Sequence, residues 1–207
     1  GISLEVHKGE ILGIVGESGS GKSVTSMSVL RLLADTAKIK EGRILFEDKD
    51  LTKFNKKKMQ KIRGEEIAMI FQDPMSSLNP LIPVGKQVAE MIQTHHPEVK
   101  GDQLKQKVLD LFKMVRIPEP EKRYKSYPHE FSGGMRQRVM IAMAFANHPK
   151  LLIADEPTTA LDVTIQDQIL KQMRNMQQEF GTSIMFITHD LGVVAELCDR
   201  VVVMYGG

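Results

Sequence analysis

The sequence predicts an α/β fold with a mainly parallel sheet, an antiparallel β portion and an inserted helical subdomain. Three observations carry that prediction. Short apolar runs rich in Val, Ile and Leu recur at 11–15, 151–154, 184–187 and 201–204, each too short for a globular helix and unbroken by polar alternation, as buried parallel strands are. Segments with helical spacing, 23–33, 136–147, 165–180 and 191–198, separate them, so strands and helices alternate. From about Pro83 to Tyr127 the strand signal lapses, and Val88, Met91 and Ile92, then Val108, Leu111, Phe112 and Val115, recur at three- and four-residue intervals.

In chain order, the run Ile11 to Val15 is the first buried strand and the helix from Ser23 follows it. The stretch around Gly42, with Arg43 to Glu47 and Glu66 to Phe71, has strand-like pieces on either side of a lysine-rich segment and reads as an antiparallel edge or a sheet of its own. Asn79-Pro80 with Pro83, and Pro118 with Pro120, punctuate the helical stretch as connections do. The division is a core over 1–82 and 149–207 with the helical subdomain over 83–148, all in one domain of 1–207. The chain starts on a strand-like run without methionine and stops just after another, so it reads as cut at both ends.

Composition narrows the function classes. At 207 residues, 42% hydrophobic and 26% charged, the chain is long enough for a sizeable core and is unlike disordered, collagenous or coiled-coil sequences. A net charge of +2 demands no nucleic-acid partner, and none is expected. The single cysteine, Cys198, fits a reducing compartment. No apolar run approaches the roughly eighteen residues of a membrane span.

The chemistry begins at Gly16-Glu17-Ser18-Gly19-Ser20-Gly21-Lys22-Ser23, which follows a predicted strand and opens a predicted helix, as a phosphate-binding loop requires. Its backbone N–H groups can surround phosphate oxygens at a positive helix end, Lys22 can reach the β- and γ-phosphates, and the Ser23 hydroxyl can ligate Mg²⁺. Leu151 to Glu156 is a buried strand whose carboxyl end delivers two carboxylates, the place where open α/β sheets bind ligands. Asp155 is the candidate metal holder and Glu156 the candidate general base. Ser132-Gly133-Gly134 opens another predicted helix and can grip a second anion by the same physics, although such junctions are also common in loops without ligands.

Taken in order, Gly16 to Ser23, the glutamine of Phe71-Gln72-Asp73, Phe131 to Met135, Asp155-Glu156, Ala160-Leu161-Asp162 and Thr188-His189-Asp190 resemble the full motif set of ABC transporter ATPase domains over nearly the whole chain. The runs Phe71 to Pro80 and Pro128 to Arg138 look like the oligopeptide/dipeptide importer subgroup, with nickel importers close by. The resemblance implies a P-loop NTPase core that binds ATP and Mg²⁺ and hydrolyses ATP at the cytoplasmic face of the cell membrane. Implied partners are membrane-spanning permease subunits, a second ATPase subunit and, indirectly, an extracytoplasmic substrate-binding protein. It implies that Gln72 joins the metal and attacking water to the helical subdomain, that Ser132, Gly133 and Gly134 close over a γ-phosphate held by the opposite subunit, that Asp162 lies in the loop crossing between subunits, and that His189 is the switch histidine. A non-transport ABC ATPase is disfavoured because the interval from Gln72 to the signature holds neither long heptads nor cysteine pairs.

The chain departs from the family pattern at Phe131 and Met135, where leucine and glutamine are more usual, and the adenine-stacking aromatic normally lies upstream of these residues. Lys56-Lys57-Lys58 with Lys61 and Arg63 reads as a solvated face, and His95-His96 as a loop pair without carboxylates at ligand spacing.

Overall fold

The computed structural model describes residues 1–34, 36–72, 77–159 and 161–206. Strands β1 (Ile11–Gly16), β4 (Ile67–Ile70), β5 (Leu151–Asp155), β6 (Ser183–Ile187) and β7 (Arg200–Met204) form one five-stranded sheet in the order β4-β5-β6-β1-β7. Every pairing is parallel; Ile153, for example, lies between Met69 and Met185. Both faces are covered, so the inner strands are apolar at successive positions. Leu152, Ala154, Ile184 and Phe186 join one core with the long helices, and Ile153, Met185 and Ile187 join another on the opposite face.

Helix α1 (Lys22–Val29) and helix α2 (Lys56–Ile62) belong to the second face, where Leu30, Met59 and Ile62 are buried. The only antiparallel pairing among the described residues is β2 (Leu45–Phe46) with β3 (Lys49–Asp50). The sequence expectation for 66–71 is corrected here. Ile67 and Ile70 are almost fully buried, and the segment is an edge strand of the parallel sheet rather than part of the antiparallel portion. The lysine-rich segment between is also more ordered than a polar linker. Asn55 caps α2 by accepting from Lys58 N–H at 2.9 Å, and Met59 and Ile62, three apart, face inward while Lys56, Lys57, Lys58 and Lys61 stay exposed.

Residues 83–127 are helical, in α3 (Val84–His95), α4 (Gly101–Met114) and the single turn α5 (Pro120–Arg123). Their apolar stripes, Val88 and Ile92 on one and Val108, Leu111 and Phe112 on the other, merge with the first face of the sheet in one continuous core. That core also takes α6 (Gly133–Phe145), α7 (Val163–Phe180) and α8 (Leu191–Leu197). No helix among the described residues is long and apolar enough to cross a membrane.

Two helix limits differ from the sequence reading for local reasons. Helix α1 stops four residues early because Arg31 turns into the left-handed region (φ 52°) and Arg63 caps the end, donating to the carbonyls of Leu30 at 2.8 Å and Arg31 at 2.9 Å. Helix α6 starts three residues early because Ser132 caps it, accepting from Met135 N–H at 3.3 Å, so two glycines of low helix propensity lie inside its first turn. The pair His95-His96 also differs. It ends α3, and Glu65 reaches both rings, at 3.9 and 3.4 Å, with Glu98 3.3 Å from His96. No group of three His, Cys, Asp or Glu among the described residues is arranged to hold a metal.

Gly85 marks where the helical segment is pinned. Its N–H donates to Tyr124 C=O at 3.1 Å, and an added Cβ would lie 2.6 Å from that oxygen and still nearer the tyrosine ring. Gly85→Ala is therefore expected to lower the unfolding free energy by about 1–3 kcal/mol, the usual cost of overpacking. A urea midpoint equal to the parent's would show that this approach does not constrain the fold.

Candidate active site

The loop leaving β1 is shaped by steric necessity. A Cβ on Gly16 would overlap the Met204 carbonyl oxygen of neighbouring β7 and sit 2.8 Å from Ser20 Oγ, so only glycine lets the strand end this close to its neighbour. Gly21 caps α1 in the left-handed region (φ 95°). The Lys22 side chain is 7% exposed and folds back into the loop, donating from Nζ to the carbonyls of Gly16 at 2.7 Å and Glu17 at 2.8 Å. An ammonium has three N–H donors, so one is left for a ligand inside the loop. Glu17, Ser18 and Gly19 form the exposed outer rim, while Ser20 is buried and its hydroxyl has no partner. With no acidic residue in the first turn of α1, the positive end of the helix is not neutralised locally.

Beside this loop, β5 carries Asp155 to a position only 5% exposed. Burial pushes its carboxyl above the usual range and Glu156 adds to this, against the opposing effects of a hydrogen bond from Ser23 and the Lys22 charge. Its Oδ1 has no hydrogen-bond partner. A buried, half-satisfied carboxylate next to a serine hydroxyl is a hard oxygen pair suited to Mg²⁺, so the residues present fit that ion.

Glu156 follows in the left-handed region (φ 49°), a conformation that costs a non-glycine residue about 1–2 kcal/mol. Its N–H is tied to Ile187 C=O at 2.9 Å, which fixes the turn to the end of β6. Three groups then converge on its carboxylate. Gln72 donates from Nε2 to Oε2 at 3.2 Å, Thr159 donates its hydroxyl to the same oxygen at 2.9 Å, and His189 Nδ1 lies 3.3 Å from Oε1. Gln72 follows β4, and His189 follows β6, so the carboxyl ends of neighbouring parallel strands gather them. Gln72 thus touches the candidate base rather than Asp155. Thr159 was not anticipated from the sequence; its signal is its place three residues after Glu156 in a turn whose N–H donates to Glu156 C=O at 3.2 Å.

The other half of the motif set lies apart. Ser132, Gly133 and Gly134 line a cleft of about 410 Å³ with Arg138, Leu161 and Asp162. Gly134 permits this packing, since a Cβ there would come within 2.8 Å of Ile165 Cγ2. Asp162 caps α7, accepting from Ile165 N–H at 2.9 Å. No described hydrogen bond joins Ser132 to Gly134 with the loop Gly16 to Ser23. Asp73 to Ser76 of the run after Gln72, and Ala160 before Leu161, lie outside the described residues.

Known proteins with this arrangement are numerous. The ABC transporter family pattern matches residues 1–159. The whole chain is 58% identical to the oligopeptide transport ATP-binding protein OppD of Bacillus subtilis (strain 168), covering 58% of that protein, and 53% identical to the dipeptide transport ATP-binding protein DppD of the same strain, covering 62%. It therefore spans about three fifths of the length of these curated relatives. Among solved structures, the ATP-binding cassette MJ0796, in a dimeric post-hydrolysis state bound to ADP and Pi, superposes with a TM-score of 0.86 at 29% identity over 99% of this chain and 84% of that one. The cassette cbiO1 from Clostridium perfringens, part of the ABC transporter complex cbiONQ, gives 0.83 at 32% identity over 100% and 78%. With this fold, this pair of loop and carboxylate strand, and most of its length inside the family pattern, the protein belongs to the ABC transporter family.

Proposed function

We propose that this protein is the ATP-binding and hydrolysing subunit that powers peptide import across the cytoplasmic membrane. The observation that carries the hydrolytic part is the Glu156 carboxylate, held by Gln72, Thr159 and His189 beside the phosphate loop and Asp155. The loop N–H groups and the remaining Lys22 donor bind the β- and γ-phosphates. Ser23 and Asp155 would hold Mg²⁺, with Gln72 able to turn towards it, and the ion supplies charge neutralisation on the phosphates when bound. Glu156 orients the attacking water in line with the γ-phosphate and takes its proton. His189, on the outer side of the same carboxylate, keeps it aimed and senses the γ-phosphate.

The separation of the Ser132–Gly134 cleft from the phosphate loop supports a site shared by two chains. In that pairing the cleft of one cassette closes on the γ-phosphate in the other, with Asp162 at the crossing between them. ATP binding closes the pair and hydrolysis reopens it. The second cassette is a copy of this chain or a similar subunit. Permease subunits in the membrane take up the motion, and an extracytoplasmic binding protein delivers the cargo. The peptide assignment rests on the names of the relatives.

Glu156→Gln is expected to keep ATP binding while losing about 10²–10⁴-fold in turnover, the usual contribution of a positioned general base; hydrolysis at the parent rate would remove Glu156 from that role. Lys22→Ala should abolish nucleotide binding in the same assay.

Asp155→Asn separates folding from function. Because the folded site raises this carboxyl's pKa, the native state holds its proton more tightly than the unfolded chain. The associated stability is present in full below the unfolded value and is lost as pH rises through the folded one. At neutral pH the variant should thus raise the ligand-free thermal midpoint by about 2–4 °C per kcal/mol recovered, while losing the added stabilisation that Mg²⁺ gives to the ATP-bound protein. A lowered ligand-free midpoint would contradict the burial argument.

Vesicles carrying the full-length subunit with its permease should show ATP turnover stimulated by binding protein loaded with peptide. Stimulation by nickel complexes alone would reassign the cargo and leave the ATPase reading intact.

A further inference from the structure

The signature helix α6 carries a buried cation that the motif reading leaves without a role. Arg138 is 8% exposed, yet its guanidinium joins three elements. Nη1 donates to Val115 C=O at 3.0 Å, just past α4, and to Gln172 Oε1 on α7 at 2.7 Å; Nη2 donates to Gln168 Oε1 on α7 at 2.9 Å. Gln172 completes the knot by donating to Met114 C=O. Every acceptor is neutral. Among the described residues no carboxylate pairs with Arg138, and the charged neighbour that acts on it is another cation, Arg116.

This arrangement is costly for a purely structural tie, because a buried charge without a counterion is destabilising where neutral groups could pack. Its position gives the cost a use. The cleft is lined by Ser132–Gly134 at the start of α6 and by Leu161 and Asp162 leading into α7, and Arg138 also lines it. Asp162, the acid in that lining, is engaged by Ile165 N–H. The Arg138 fork, on the second turn of α6, fixes that helix relative to α7 and to the end of α4.

We propose that Arg138 is a positioning residue for nucleotide held by a second cassette, its fork setting the spacing of the two cleft walls and its unpaired charge drawing the γ-phosphate into the cleft. The inference deepens the shared-site reading above and rests on it.

The test uses the full-length subunit carrying Glu156→Gln, with Arg138→Gln and Arg138→Lys added separately. The readouts are Mg-ATP binding to the dilute monomer, light-scattering mass against protein concentration at saturating Mg-ATP, and hydrogen exchange of the Gly133 to Arg136 amides. Arg138→Gln should bind ATP within about twofold of the parent yet need at least about tenfold more protein to dimerise, equivalent to about 1.4 kcal/mol. Arg138→Lys keeps the charge without the fork and should recover part of that loss. Exchange in the first turn of α6 should quicken in both.

Dimerisation of Arg138→Gln at the parent concentration would overturn the proposal, as would a loss confined to variants whose monomeric ATP binding has also collapsed. If Arg138→Gln does not fold, Arg138→Lys decides on the same two readouts. A Glu156→Gln parent that stays monomeric with Mg-ATP sinks the self-pairing reading instead. The mass measurement is then made with the second ATPase subunit of the transporter, where unchanged pairing by the Arg138 variants again overturns the role of Arg138 alone.

Discussion

The structure is organised around a carboxylate that its own fold does not satisfy. Asp155 ends the β5 strand almost fully buried, with one oxygen unpaired. A sheet with both faces covered can place a charge there only where its strand ends meet loops that bring compensating groups. Those groups are Ser23 and Lys22, both at the start of α1, and neither completes the carboxylate. The site is therefore preorganised for a positive guest, and the energetic cost of that state falls on the ligand-free protein. Gly16 serves the same end, because any side chain there would push β1 off the β7 backbone and carry the phosphate loop with it.

One residue along, the physics changes. Glu156 is partly exposed and over-supplied with partners, taking contacts from three strand ends while its backbone sits in a strained turn. A left-handed glutamate persists because the Ile187 carbonyl and the Thr159 hydroxyl hold it, one from the backbone side and one from the side chain. Adjacent carboxylates thus receive opposite treatment, one starved of partners and one clasped by them. That divergence is the physical basis for proposing one for a metal and the other for proton transfer.

Much of this was legible in the sequence because its signals are local. A glycine-rich turn between a buried strand and a helix, and an acidic pair ending another apolar run, need no tertiary information to be recognised. The four apolar runs became strands for the same reason, although the last, β7, lies at the sheet edge with Val201 and Val203 exposed. What sequence could not reveal is set by contacts between distant segments. Ile67 to Ile70 is one short apolar run among several, and only its pairing with Leu151 to Ala154 makes it a parallel edge. The early end of α1 depends on Arg63, thirty-odd residues away, and the start of α6 was masked by glycines that a serine cap holds in place. Thr159 and Glu65 escaped because their roles are defined by partners that propensity and spacing do not reveal.

The route from the site into the helical segment is built from hydrogen bonds rather than ion pairs. Gln72 touches Glu156, and beyond the undescribed residues the chain reaches Asn79, which Gln87 of α3 staples twice, accepting from Asn79 N–H and donating to Asn79 C=O, both at 2.9 Å, while also donating to Ile82 C=O at 2.8 Å. Arg138 ties the end of α4 to α6 and α7 on the other side, by charge-assisted bonds to neutral amides and carbonyls and without an ion pair. Direct ion pairs at these joints would make each rearrangement break a charge pair in a low-dielectric setting. Amide joints can exchange one neutral partner for another at a cost near that of a single hydrogen bond, about 0.5–1.5 kcal/mol. In the proposed cycle of closing and reopening with ATP, joints of that strength keep the helical segment in register with the site without locking it there.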